Sequence, residues 1–216
     1  MLNETIFMIY LRSLGACLSK TKNGKKNRLA FLTVLVFINL YSCASAASAK
    51  QPYVYLTDNA KYILLSPGGI EKPMDAAQYI SASYGGQDYF FNAWVKADKT
   101  GMDIALFNEL GAAIAELSYK DGVVSLSSRV LPGSLRPEYI VADFQLCFYE
   151  PVLLRQAIKE CGLVLETRGG SQEGTMNIRR ILRGKRLIIE IEKAHQEVKL
   201  KNYQRGYSYT LKGDNI

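Results

Sequence analysis

The side chains that could carry chemistry are few and scattered along the 216 residues. The single histidine, His195, sits in a charged strand end between Lys193 and Glu197. General acid-base catalysis needs titratable groups that converge on one proton, and a lone imidazole among charges reads as a solvent-facing edge. Cys147 and Cys161 fall on the apolar faces of apparent helices, without metal-ligand or nucleophile spacing. Ser171 follows Gly169-Gly170 but lacks the glycine two residues later that a nucleophile elbow requires. Gly184-Lys185 lacks the preceding glycine and the following Ser or Thr of a phosphate loop. Arg179, Arg180, Arg183 and Arg186 cluster and could attract acidic lipid headgroups, although a solvated strand pair explains them more readily. These residues imply no catalysis, no metal and no cofactor.

The cysteine with the most defined neighbourhood is Cys43. Residues 1–28 carry Arg12, Lys20, Lys22, Lys25, Lys26 and Arg28 against Glu4, and an uncharged apolar run, Leu29–Tyr41, follows. That order is a secretory signal's, and the run is shorter than the roughly 20 residues a membrane-spanning helix needs. It ends in Leu40-Tyr41-Ser42-Cys43, which resembles the lipobox of bacterial lipoproteins. There a Leu or branched residue and a small pair precede a cysteine whose thiol takes up diacylglycerol before cleavage. Leu40, Ser42 and Cys43 match, while Tyr41 is bulkier than the pattern. Ordinary cleavage after Ala44-Ser45-Ala46 or Ala47-Ser48-Ala49 is the competing reading. The lipobox resemblance implies that residues 1–42 are removed, that Cys43 is lipidated, and that 43–52 form a tether. Ala44 and Ser45, with no Asp after the cysteine, resemble lipoproteins sorted to the outer membrane and facing the periplasm.

Loss of residues 1–42 removes six of the 27 basic residues and one of the 20 acids, leaving a net charge of +2. So small a surplus lacks the basic footprint of nucleic-acid binders. Residues 53–216 suffice for one domain with one core, and a monomer is expected. A periplasm would permit a disulfide between Cys147 and Cys161. Ten helical residues after Pro151, however, rise about 15 Å and carry Cys161 beyond the roughly 7 Å limit between bridged Cα atoms. Two buried thiols are expected instead.

The elements that would position these residues are mostly strands. Gln78–Tyr84 is β-rich, Gly85-Gly86 reads as a two-residue hairpin turn, and Asp88–Ala97 alternates with period two. One face of that strand, Tyr89, Phe91, Ala93, Val95 and Ala97, is apolar throughout; the other also carries Phe90 and Trp94, so it is either covered on both sides or facing a cavity. Strands are expected over Met102–Phe107, Ala112–Tyr119 and Val123–Arg129, the last after the Asp121-Gly122 turn. Helical spacing then takes over from Pro137 to about Tyr149, breaks at Glu150-Pro151, and resumes until Gly162, a natural C-cap. Strands return at Thr175–Leu182, Arg186–Ala194 and across Glu197–Lys212. The expected fold is mainly β with α: a curved antiparallel sheet or incomplete barrel with two helices inserted mid-chain.

This order, with certain segments, resembles the outer-membrane lipoprotein receptor LolB, and more closely the LolB-like lipoproteins of unknown function found with aryl-polyene biosynthetic genes. The carriers are Leu106-Phe107-Asn108-Glu109-Leu110-Gly111 with Ala115-Glu116-Leu117, then Ala142-Asp143-Phe144-Gln145-Leu146, and the terminal Asn202-Tyr203-Gln204-Arg205-Gly206-Tyr207-Ser208-Tyr209-Thr210-Leu211. The resemblance implies a LolB-type half-barrel that takes a lipidic or acylated cargo, such as an aryl-polyene lipid, from a LolA-like periplasmic carrier. It also implies a membrane-insertion loop formed by Glu109, Leu110 and Gly111, with Leu110 as the inserting residue. Glu109 stands where LolB has Pro, and the alternative is that Leu110 closes a hairpin against the core. Independently, strands apolar on both faces can wrap a pocket for acyl chains, where each buried methylene contributes about 0.8 kcal/mol. Its expected lining is Phe91, Trp94, Ile104, Leu117, Ile189 and Tyr209, though any one of them could equally fill an ordinary core. The alternative to a carrier is a non-catalytic scaffold lipoprotein holding a partner complex at the membrane.

Overall fold

The computed structural model describes residues 51–128, 135–169 and 176–214. The expectations for Leu40, Tyr41, Ser42 and Cys43, for residues 43–50, and for Gly170, Ser171 and Thr175 lie outside these residues. Ala49–Ile216 form one compact unit, and its hydrophobic core, from Val54 to Leu211, lies wholly inside it.

A short hairpin opens the fold, β1 (Tyr53–Tyr55) with β2 (Lys61–Ile63), and a single 3-10 turn follows at Pro67–Gly69. The meander is β3 (Met74–Tyr84), β4 (Gln87–Ala97), β5 (Gly101–Phe107), β6 (Ala113–Lys120) and β7 (Val123–Ser128). Two helices come next, α1 (Pro137–Phe148) and α2 (Pro151–Glu160), each with its proline in the first turn, where no amide hydrogen is needed. The chain ends with β8 (Val164–Arg168), β9 (Asn177–Arg183), β10 (Arg186–Ala194), β11 (Glu197–Asn202) and β12 (Tyr207–Gly213). Ten strands form one antiparallel sheet in the order β7-β6-β5-β4-β3-β12-β11-β10-β9-β8. The sheet is curved and not closed into a barrel: β12 joins the two meanders by pairing with β3, and β7 and β8 remain as edges.

The expected architecture is therefore present, with three differences. β3 begins at Met74 instead of Gln78, because Met74, Ala76 and Gln78 alternate inward. β1, β2 and β8 were not expected. β8 has a single buried residue, Leu165, so it carries no alternation to read. The Glu197–Lys212 segment is two strands around a four-residue turn. The Gly85-Gly86 turn is as expected, with φ of 60° and 78° at its two glycines, the paired positive values of the turn whose twist matches a hairpin's.

Alternation divides the sheet into an inner face, on which the helices pack, and an outer one. Ala93, Val95 and Ala97 of β4 point inward with Met102 of β5 and Leu117 and Tyr119 of β6. α1 lies over β10, β11 and β7, and α2 over β8. Cys147 and Cys161 are free thiols. Cys147 Sγ lies 3.7 Å from the Tyr209 hydroxyl, and Cys161 Sγ, only half-buried at the end of α2, donates to the Lys61 and Ala157 carbonyls.

Candidate functional site

The inner face is unevenly covered. Where α1 reaches it, the side chains are fully enclosed: Ile189, Ile191, Val198 and Leu200 expose at most 1% of their surface. Over β3 to β7, of which α1 contacts β7, partly buried apolar side chains pack against the core: Ile80, Ile104, Leu106, Val124 and Leu126. Phe91, paired with Ile80 in register, is half-buried on the same face. Between these larger groups the floor is made of alanines, Ala93 beside Leu106 and Leu106 beside Ala115. These half-buried apolar side chains rim a strip, the trough, whose alanine floor is itself buried, with Ala93 3% and Ala115 4% exposed; burying the rim further against an acyl chain would be favourable.

Five of the six expected lining residues share this inner face. Phe91 and Ile104 are half-buried at the trough, Leu117 is its buried neighbour, Tyr209 has its hydroxyl at Cys147 of α1, and Ile189 lies under α1. Two of the six are corrections. Ile189 is 0% exposed and belongs to the filled core under α1. Trp94 is 48% exposed and lies on the opposite, outer face, where its indole nitrogen donates to Asp75 at 2.9 Å. Strand parity decides this: inward Ala93 and Val95 force Trp94 outward, alongside Phe90, which stacks on Tyr79 at 6.2 Å between ring centroids. The outer aromatic face of β4 is thus neither covered nor facing the trough.

The trough ends at the β5–β6 hairpin, whose tip is the expected insertion loop. Asn108 builds this tip. Its amide oxygen accepts from the Leu110 and Ala112 backbone nitrogens at 3.0 and 2.9 Å, while its backbone nitrogen donates to the Ala112 carbonyl and its carbonyl accepts from the Gly111 nitrogen. Gly111 has a φ of 76°, which a β-carbon would strain. The side chain left at the apex is Leu110, 92% exposed. The alternative, in which Leu110 closes the hairpin against the core, is thereby excluded, and Glu109 in place of Pro has not prevented the projection.

The remaining matching segments tie α1 to the opening segment and to the terminal hairpin. Within α1, Gln145 is fully buried; its Oε1 accepts from the Tyr62 hydroxyl and the Leu65 nitrogen, each at 3.0 Å, and its Nε2 donates to the Leu65 carbonyl at 2.7 Å. In the terminal hairpin Asn202 donates to the Tyr207 hydroxyl at 3.1 Å, and Tyr207 donates to Asp143 of α1 at 2.7 Å. Arg205 donates to the Tyr55 carbonyl and to the Tyr139 hydroxyl, with its guanidinium 4.1 Å from the centre of the Tyr139 ring.

Asp143 is the one carboxyl of this network, and its pKa is pushed up to about 7. Burial raises it, outweighing the Tyr207 hydrogen bond and the Arg205 charge, both of which favour the ionised form. An unfolded aspartate ionises near pH 4. Between about pH 4 and 7 the folded state therefore holds a proton the unfolded state has lost, and stability falls as pH rises through that window. Asp143→Asn is expected to flatten the dependence of Tm on pH between about 4 and 7, a span worth on the order of a few kcal/mol in the parent. An unchanged slope in thermal melts would assign the proton elsewhere.

A cleft of about 820 Å³ opens at the opposite end, lined by Glu71, Lys193, His195, Arg179 and Asp214 among others. Its charges are engaged apart from Lys72, which is exposed. Arg179 is buried, contrary to a solvated arginine cluster: it donates to the Leu146 and Tyr149 carbonyls at 2.9 Å and to Glu71. Glu71 also faces Lys193 at 3.5 Å, Asp75 holds Trp94, and Asp214 holds Gln196. His195 is exposed, as its charged surroundings indicated. Among the described residues no three His, Cys, Asp or Glu side chains are grouped to hold a metal, and no helix is long and apolar enough to cross a membrane.

The sequence profile of DUF3261, a family of proteins of unknown function, matches residues 75–213, from the second residue of β3 to the end of β12. The chain belongs to the DUF3261 family. The match contains the trough, the Leu110 hairpin, both helices and the terminal hairpin that braces them. No curated protein sequence matches the chain. Among solved structures, a DUF1329 family protein from Desulfovibrio piger aligns over 67% of this chain and 85% of its own, at 7% identity and a TM-score of 0.27. A superposition that loose carries no argument about function. Two features that sequence reasoning passed over had signals in the DUF3261 region: Arg179 is in phase with inward Ile181, and Gln145 is a lone polar residue in an apolar run.

Proposed function

We propose that this chain is a non-catalytic lipoprotein of the outer membrane, held on the periplasmic side by a lipid on Cys43, that accepts a lipidic or acylated cargo and helps insert it into the bilayer. An aryl-polyene lipid is the expected cargo, and a LolA-like periplasmic carrier the expected donor. The observation that carries this reading is Leu110, 92% exposed on a hairpin tip that Asn108 holds from within. An apolar residue offered to solvent on a braced tip is poised for an apolar medium, and the tip is joined directly to the trough through Leu106 and Phe107. Non-directional apolar contact suffices for such a cargo, which has to be released as well as bound.

The test is transfer of a fluorescent acyl lipid, loaded on the mature protein, into phospholipid vesicles. Wild type is expected to deliver the probe and a Leu110→Glu variant to retain it; equal delivery by both would remove Leu110 from the mechanism. A scaffold role is the second reading, favoured by the filled core around Ile189 and by the engaged Tyr209 hydroxyl. It predicts no lipid uptake by either protein.

A further inference from the structure

Antiparallel register places the β3–β4, β5–β6, β9–β10 and β11–β12 turns at one end of the sheet, and the turns at 98–100, 121–122 and 195–196 at the other. The two ends differ in charge. The first four turns, with their flanking residues, contain Arg183, Lys185, Arg186 and Arg205 against Glu109, with Asp88 beside Tyr89; the other three, with theirs, contain Lys99 and Lys120 against Asp98, Asp121 and Glu197. Arg183, Lys185 and Arg186 are exposed. The first end also displays large apolar side chains: Leu110, Tyr84 at the close of β3, Tyr89 at the opening of β4, and Tyr203 in the β11–β12 turn. Tyrosines beside cations around an exposed leucine are the composition of a surface that sits at a bilayer's headgroup level.

We infer that this end of the sheet is a docking face for an anionic phospholipid surface, with Arg183, Lys185 and Arg186 binding headgroup phosphates and Tyr84, Tyr89 and Tyr203 lying at the interface around Leu110. The inference rests on the membrane role proposed for Leu110 and adds the lipid class and the residues that select it. Charge complementarity chooses the partner: an apolar rim alone fits any apolar surface, whereas the cations at this end select a negative one. A juxtamembrane cation strengthens binding about fivefold, so three together strengthen it on the order of 100-fold, an effect that fades as salt screens it.

The experiment is co-sedimentation of residues 49–216, first verified to melt cooperatively, with vesicles of phosphatidylcholine alone or mixed with phosphatidylglycerol. Wild type is expected to bind the anionic vesicles, to release with added salt, and to bind the neutral ones far more weakly. The triple variant Arg183→Gln, Lys185→Gln, Arg186→Gln changes exposed residues outside the trough. It is expected to lose on the order of 100-fold in affinity with an unchanged melting temperature. Equal binding to both vesicle types, undiminished binding by the folded triple variant, or no binding by wild type would each overturn the inference; the last would leave this end to a protein partner. Failure of lipid transfer with vesicle binding intact would instead count against the cargo role alone.

Discussion

Replacing Gln145 by alanine is expected to lower the free energy of unfolding by on the order of 3–5 kcal/mol, read as a shift of the urea midpoint at unchanged m-value. The carboxamide makes three hydrogen bonds in a fully buried position, two of them to the Leu65 peptide group. That peptide lies between β2 and the 3-10 turn, a stretch whose backbone pairs with no strand of the large sheet. Gln145 therefore does for this segment what a neighbouring strand would do. Its loss leaves the Tyr62 hydroxyl and the Leu65 amide hydrogen buried without acceptors, each costing about 1–3 kcal/mol, while the Leu65 carbonyl keeps the Tyr119 hydroxyl at 2.8 Å. Gln145→Glu is the informative companion, because it keeps the acceptor and replaces the donor with a buried charge. A cost below about 1 kcal/mol for the alanine variant would mean that water replaces the carboxamide and that the network is not what fixes this segment.

The Leu110→Glu variant is expected to show the opposite profile, with stability within about 0.5 kcal/mol of wild type and delivery of an acyl probe to vesicles lower by on the order of 100-fold. The stability expectation follows from the 92% exposure of Leu110 and from a turn held by Asn108 and Gly111, whose bonds use none of the Leu110 side chain. The loss of delivery follows from forfeiting a leucine's burial, about 1.5–3 kcal/mol, together with the cost of bringing a carboxylate to an apolar medium. Asn108→Ala separates the tip's shape from its chemistry. It keeps Leu110 but removes two hydrogen bonds that orient it, so an intermediate loss of delivery is expected.

The meander and the helices were legible because each carries an independent local signal. β4 alternates over its whole length, Pro137 and Pro151 open the helices, and Gly162 follows the second with a φ of 73°. The edge strand β8 and the short strands were not legible, although the other edge, β7, was: β8 buries Leu165 alone, and β1 and β2 have three residues each. Which face of β4 turns inward was also beyond local pattern, since both faces carry aromatics. The sheet resolves this in favour of the smaller set, Ala93, Val95 and Ala97, because the residues 60–70 segment and its neighbouring strands pack there, leaving Phe90 and Trp94 outside. The candidate site was half legible for the same reason. Leu110 is local to one hairpin, whereas Ile189 and Tyr209 depend on where α1 lies across β10 to β12, a long-range fact that no spacing encodes.

The most direct test of cargo binding is lipid extraction and mass spectrometry of the mature protein purified from the organism that makes it, beside Ile104→Glu and Trp94→Arg variants. The account predicts a near-stoichiometric acyl lipid in wild type, its loss on placing a charge in the trough at Ile104, and its retention when the outer face is changed at Trp94. Folded wild-type protein carrying no lipid, or lipid lost through Trp94 and kept through Ile104, would contradict it.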